Sequence, residues 1–188
     1  MDQGKVVLQN ERARLEALTP VNYPCLREIA REPGLIRYSP GVLTTPEGFE
    51  AYFQKALRET QEGTSQVFLI YDREAGQWAG TSRFMRIDAR NRVVEIGSTW
   101  IGSRFQGTGL NCAVKSLMLD AAFGPMGFER VEFRIDERNI RSRKAVEKLG
   151  ARLEGVFRKN VYLDDGFKRN TCVYGLLQHE WTGGNPNR

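Results

Sequence analysis

The chain predicts a mixed α/β domain around one mostly antiparallel sheet, flanked by about four helices. Three observations lead there. Three strand-like runs follow one another with short turns between residues 66 and 101, the pattern of an antiparallel meander. Helix-like and strand-like segments then alternate as far as residue 150, and a final strand pair closes the chain. At 188 residues, folding buries roughly 70% of the surface of the unfolded chain, so one core suffices without staples.

The elements run in this order. "KVVLQNERARLEAL" reads as a first strand with a bend near Asn10. "TPVNYPCLREIAREPG" predicts a helix capped by Thr19, with Gly34 beyond its end. A second helix is expected at "TTPEGFEAYFQKALRETQEG", with Thr45 as cap, Pro46 at the first position and Glu47 in the first turn. Its Phe49, Phe53 and Leu57 make an apolar stripe read as core, with a substrate wall as the lesser option. "QVFLIYD", "QWAGTSRFMRID" and "RVVEIGSTWI" are the three meander strands, joined by "REAG" and "DARN". A helix follows to Phe123, with Leu110, Ala113, Val114, Leu117 and Ala121 on one side. "RVEFRID" is a strand, and "NIRSRKAVEKLG" a helix capped by Asn139 and stopped by Gly150. The closing strands meet at Asp165-Gly166, a hairpin signal. One domain is expected over residues 1–181, with 182–188 a disordered tail.

Composition narrows the class. Hydrophobic residues make up 40% and charged residues 27%, an ordinary soluble balance. Three scattered cysteines argue against a disulfide framework and for a reducing cytoplasm. No signal peptide or membrane span is evident. The net charge of +5 suits a polyanionic partner, although basic and acidic residues are interspersed. Among known motifs, the P-loop, the G-x-S-x-G elbow and metal-binding Cys/His spacings are all absent, so no metal is expected. The single histidine, His179, reads as a surface or edge residue. The dinucleotide fingerprint fails because Cys112 occupies its third glycine position. No nucleic-acid module is recognisable.

What remains is "RFQGTGLN" between a strand and a helix. A helix starting near Gly109 presents unpaired N–H groups and a favourable dipole to an anion. Gly107 and Gly109 let that anion approach the backbone, and Arg104 can add a charged hydrogen bond. A plain strand–helix corner is the competing reading.

Arg104, Gly107 and Gly109 match Q/R-x-x-G-x-G/A, and the stretch resembles the acyl-coenzyme A pyrophosphate loop of the GNAT N-acetyltransferases. "RNIRSRKAVEKLGARLEGVFRK", "GTGLN" and "YGLLQHEW" are similar to the RimJ/RimL branch, which acetylates ribosomal-protein N-termini. The likeness runs from about Val6 to Trp181. It implies a sheet splayed between the family's fourth and fifth strands, with pantetheine entering the split. It also implies acetyl-coenzyme A as co-substrate and an amine acceptor, either a protein N-terminus or a small molecule.

By the same resemblance, the backbone around Trp100, Ile101 and Gly102 pairs with pantetheine. Amides of Phe105, Gln106, Gly107, Thr108, Gly109 and Leu110 hold the pyrophosphate, and Asn139 contacts the pantetheine arm besides capping its helix. Arg141, Arg143 and Lys144 read as solvated charges ahead of nucleotide contacts. Alternation puts Glu95, Gly97 and Thr99 on one face and Val94, Ile96, Ser98 and Trp100 on the other. A Glu inside a central strand suggests a general base, direct or through water, with a salt bridge as the rival explanation. The tyrosine that many members carry in the fourth helix is replaced by Val146, and Ser142 stands where the branch has a substitute acid. Ser142 reads equally as a first-turn helix serine, and Cys112 as buried packing. Aminoglycoside-like polycations fit the basic balance poorly. Rival functions are a non-catalytic acyl-coenzyme A-binding module and a basic nucleic-acid binder, and a homodimer is left open.

Overall fold

A computed structural model describes residues 7–183. The elements are β1 (Val7–Gln9), β2 (Ala13–Ala17), α1 (Arg27–Ala30), α2 (Pro46–Gln61), β3 (Ser65–Asp72), β4 (Gln77–Asp88), β5 (Val93–Ile101), α3 (Leu110–Phe123), β6 (Arg130–Asp136), α4 (Ile140–Glu147), β7 (Arg152–Tyr162) and β8 (Lys168–Leu177). They form one eight-stranded sheet in the order β1-β2-β3-β4-β5-β6-β8-β7. Its β5–β6 pair is parallel and the other six pairs are antiparallel. Lys5 and Val6 of the expected first strand, and 184–188 of the expected tail, lie outside the described residues. No helix among the described residues is long and apolar enough to cross a membrane.

Both faces of the sheet are covered, which is why β3 reads as a nearly continuous apolar run. Phe68 and Ile70 join the core under α3, while Val67 and Leu69 join the core under α1 and α2. The aromatic stripe of α2 is core packing: Phe49 and Phe53 are buried against Tyr23, with the Phe53 ring stacked on it and the Phe49 ring tilted to it. Thr45 caps α2 by accepting from the Gly48 amide at 3.1 Å, with Pro46 at the first position. Asn139 caps α4 through Oδ1, which accepts from the Ser142 amide at 3.1 Å. α3 buries more than the expected stripe, since Lys115, Met118, Leu119, Ala122 and Phe123 are buried as well.

Three expectations are corrected. The bend at Asn10 is a full turn separating β1 from β2, held by Asn10 Oδ1, which accepts from the amides of Arg12 and Ala13. The first helix is only a 3-10 turn over Tyr23–Leu26 followed by α1. Thr19 and Asn22 bond each other's amides at 3.2 and 2.8 Å and hold residues 19–22 in a turn, so Thr19 lies ahead of the helical residues. The third concerns β5. Thr81 pairs with Trp100 and Arg83 with Gly97, so Ser82 faces two residues of β5. Ser98 sits in this bulge with φ +47°.

The bulge reverses the alternation. Before it, Val94 and Ile96 pack under α3; beyond it, Thr99 and Ile101 take that face. Trp100 thereby turns toward α2, onto the face that carries Glu95 and Gly97.

Candidate active site

β5 and β6 pair only at Val93–Arg130, Val94–Val131 and Glu95–Glu132. Beyond Glu95 the strands part, and residues 96–101 of β5 lack a partner strand on that side. The opening continues into a cleft lined by Ser98, Thr99 and Trp100 of β5, by Asn139 at the head of α4, and by Leu35, Ile36, Tyr38 and Ser39.

The glycine loop stands at the outer end of β5. Gly107 and Gly109 have φ of +82° and +88°, and a Cβ on either would meet nothing within 4 Å. The glycines therefore serve a left-handed backbone under open space. Three of the six amides expected at the anion are already engaged. Phe105 N–H donates to the Gly102 carbonyl and Gln106 N–H to that of Ser103. Leu110 N–H leans on Thr108 Oγ1 at 3.4 Å. Gly107, Thr108 and Gly109, with Asn111 and Cys112 in the first turn of α3, supply the remaining donors.

Phe105 and Leu110 are buried and anchor the loop. The Arg104 guanidinium lies 4.5 Å from the Phe105 ring centroid, exposed and without an ion-pair partner among the described residues. Gln106 spans the mouth of the split: its Nε2 donates to the Ile101 carbonyl at 2.8 Å, while its Oε1 accepts from Arg141 of α4. Arg143 is structural, bonding the Tyr174 hydroxyl at 2.9 Å and the Glu137 carbonyl at 3.1 Å.

Glu95 is 6% exposed, on the α2 face of β5 where the split begins. It accepts from Arg86 at 2.8 Å, and Arg134 Nε lies 3.6 Å away. The rival salt-bridge explanation is thus realised in the geometry. Burial nevertheless pushes the carboxyl above its ordinary range; the charges of Arg86, Arg134 and Arg169 oppose this shift, while that of Glu132 adds to it. Glu95 lies beside the cleft and is not among its lining residues. Ser142 is half-buried in the first turn of α4, its amide on Asn139, and Val146 is core.

Sequence reasoning missed two polar groups here. Tyr52 of α2 reaches the bulge, with its hydroxyl 3.0 Å from Ser98 Oγ, and accepts from Trp100 Nε1 at 3.3 Å. Lys115, buried in α3, donates to Thr99 Oγ1 at 2.7 Å and Ser82 Oγ at 3.4 Å. Tyr52 stands next to the Phe49/Phe53 stripe, and that adjacency was its one sequence signal. Cys112, expected as buried packing, is exposed on α3, and His179 is exposed as expected.

Comparison with known proteins identifies the family to which this fold belongs. Residues 12–152 match the Acetyltransferase (GNAT) domain family. The chain belongs to the GNAT family. A curated Bacillus subtilis relative, named "Putative ribosomal N-acetyltransferase YdaF", is 32% identical over 115 residues, covering 61% of this chain and 60% of its own length. The match therefore spans less than two thirds of that relative. It bears out the resemblance to the ribosomal-protein branch. A GCN5-related N-acetyltransferase from Brucella melitensis superposes with a TM-score of 0.82 at 27% identity, over 94% of this chain and 80% of that one. The microcin C7 self-immunity acetyltransferase MccE, solved with acetyl-CoA and AMP, shares the fold with a TM-score of 0.77 at 20% identity, over 89% and 93% of the two chains. The glycine loop, the helix-capping Asn139 and Val146 all lie within the matched residues. The family's splay between its fourth and fifth strands falls here between β5 and β6, because the first expected strand divides into β1 and β2.

Proposed function

We propose that residues 1–181 form one acetyl-coenzyme A-dependent N-acetyltransferase domain that acetylates a primary amine, a protein N-terminus or a small molecule, in a ternary complex. The observation that carries this reading is the split of β5 from β6, which leaves residues 96–101 without a partner strand on the side facing the cleft. Such an edge accepts an extended amide-bearing chain as it would a strand.

The residues present fit this co-substrate. Trp100 and Ile101 offer main-chain groups to the pantetheine amides. Amides of Gly107, Thr108 and Gly109 and of the first turn of α3 take the pyrophosphate, with Arg104 adding charge. Phe105 and Leu110 hold the loop from below, and Gln106 fixes it to β5 and α4. Asn139 spends Oδ1 on the helix cap, which leaves its Nδ2 for the pantetheine arm. Acetyl-coenzyme A supplies the activated acetyl thioester.

The protein must remove a proton from the amine and return one to the departing sulfur. Glu95 takes the first through a water, and its raised pKa brings it closer to that task at neutral pH. Ser142 offers its hydroxyl to the sulfur from the first turn of α4. The reaction belongs in the cytoplasm, a placement supported by three free cysteines.

Thiol release from acetyl-coenzyme A, measured across N-terminal peptides and small amines, tests this reading. Acceptor-dependent release together with the acetylated amine is the expected result. Tight cofactor binding with no release on any acceptor would overturn it in favour of a non-catalytic binding module.

A further inference from the structure

Arg86, Arg134 and Arg169 act on Glu95, while Arg83 and Arg138 lie over the rings of Tyr52 and Tyr38, and four of these five arginines meet carboxylates. Arg83 pairs with Glu59 at 2.9 Å, Arg86 with Glu95 at 2.8 Å, Arg134 with Glu132 at 3.2 Å and Arg138 with Asp136 at 2.7 Å. Arg169 of β8 differs. Among the described residues it has no carboxylate within the 4.0 Å of an ion pair. One terminal nitrogen donates to the Tyr38 carbonyl, and its Nε is buried with no acceptor.

A half-buried guanidinium held by one neutral carbonyl, with no carboxylate in contact, bears a desolvation penalty that is only partly offset. Burial pushes its pKa down; Asp136 and Glu95 oppose the shift, and Arg138 and Arg86 reinforce it. Its position tells which ligand would complete it. Tyr38 lines the cleft together with Ser98, Trp100 and Asn139, and the charge of Glu95 reaches Arg169. Arg169 itself stands behind the cleft lining, joined to it through the Tyr38 carbonyl. The fork of Nε and a terminal nitrogen matches the two oxygens of a carboxylate.

Resting on the acetyltransferase reading, we propose that the acceptor is an amine carrying a carboxylate a few bonds from its nitrogen, and that Arg169 binds that carboxylate. The same cation favours the neutral amine over its ammonium form, which is the state that attacks a thioester. Because Nε is covered, the segment at Tyr38 whose carbonyl Arg169 now holds must yield as the carboxylate arrives.

Two sources share this chemistry: a free amino acid, and a peptide whose second residue is acidic. The test compares Ser-Glu with Ser-Gln peptides and alanine with alanine amide, in wild type, Arg169→Gln and Arg169→Lys. Wild type should favour the acid over its neutral partner on the order of 10-fold in kcat/KM in one of the two pairs, and the pair that shows it identifies the source. That ratio should collapse toward one in Arg169→Gln and be partly kept in Arg169→Lys, which retains charge without the fork. Calorimetry of each acceptor onto the coenzyme A-bound protein reads the same ratio even if no acceptor turns over, so failure of catalysis and failure of this proposal remain distinguishable. Equal binding and equal rates for acid and neutral partners, or a preference that survives in Arg169→Gln with unchanged thermal stability, would overturn it.

Discussion

The Tyr52 hydroxyl lies 3.0 Å from Ser98 Oγ, tying α2 to the bulge of β5. Trp100 Nε1 donates to the same phenol oxygen, and either hydroxyl can donate in the Tyr52–Ser98 bond. Burial alone would raise its pKa; the Arg83 charge and the hydrogen bonds from Ser98, Arg83 and Trp100 outweigh that and lower it. Tyr52→Phe keeps the ring and deletes this link. Turnover should fall about tenfold through misplacement of the bulge, with stability reduced by about 1 kcal/mol. Steady-state kinetics beside cofactor calorimetry check it; a loss confined to cofactor affinity would contradict it.

Lys115 gives a pH signature. Burial drives its pKa from 10.5 down to about 7, against a smaller opposing pull from Glu95. The folded value lies below the unfolded one, so between about pH 7 and 10.5 the unfolded chain holds the extra proton and stability rises with pH. Below pH 7 both states are charged and the penalty is complete. Lys115→Met leaves Ser82 and Thr99 bonded to each other at 2.7 Å. It should stabilise the fold by ~2–4 kcal/mol below pH 7, with the gain fading toward pH 10. Urea denaturation across that range measures it.

Gly107 separates backbone strain from occupancy. Gly107→Ala meets no atom and bears only left-handed strain of about 1–2 kcal/mol. Gly107→Glu adds bulk and negative charge to the open space over the loop. Acetyl-coenzyme A affinity should fall on the order of 100-fold in the Glu variant and far less in the Ala variant. Calorimetric titration of both distinguishes a pyrophosphate cradle from a corner.

Glu95→Gln should lower turnover about 100-fold at neutral pH while cofactor affinity stays within about twofold. The acidic limb of the wild-type rate profile should lie above the ordinary carboxylate range, as burial requires, and vanish in the variant. An unchanged profile would leave Glu95 with only its ion pairs to Arg86 and Arg134.

Much of this was legible in the chain. The caps Thr45 and Asn139, the Asp165-Gly166 hairpin and the three meander strands all stand where local chemistry puts them. The reversal at Ser98 was not, because "GSTWI" has no proline and its one glycine precedes the left-handed residue. Only the register against β4 reveals it, and with it the partnership of Tyr52, Ser98 and Trp100. The first helix is shorter than its Thr19 and Gly34 signals suggest, because the Thr19–Asn22 exchange holds a turn in place of its first residues. Arg169 is not distinguishable among 28 basic residues in the sequence, since what sets it apart from Arg83, Arg86, Arg134 and Arg138 is the carboxylate it lacks.

The central claim is that the cleft between β5 and β6, with the head of α3, holds acetyl-coenzyme A. Amide hydrogen exchange with and without acetyl-coenzyme A tests it most directly. Slowed exchange at residues 96–101 of β5 and 107–112 of the loop and first turn, with β1 to β3 unaffected, is the predicted result. Saturating cofactor that leaves both segments unprotected would contradict it.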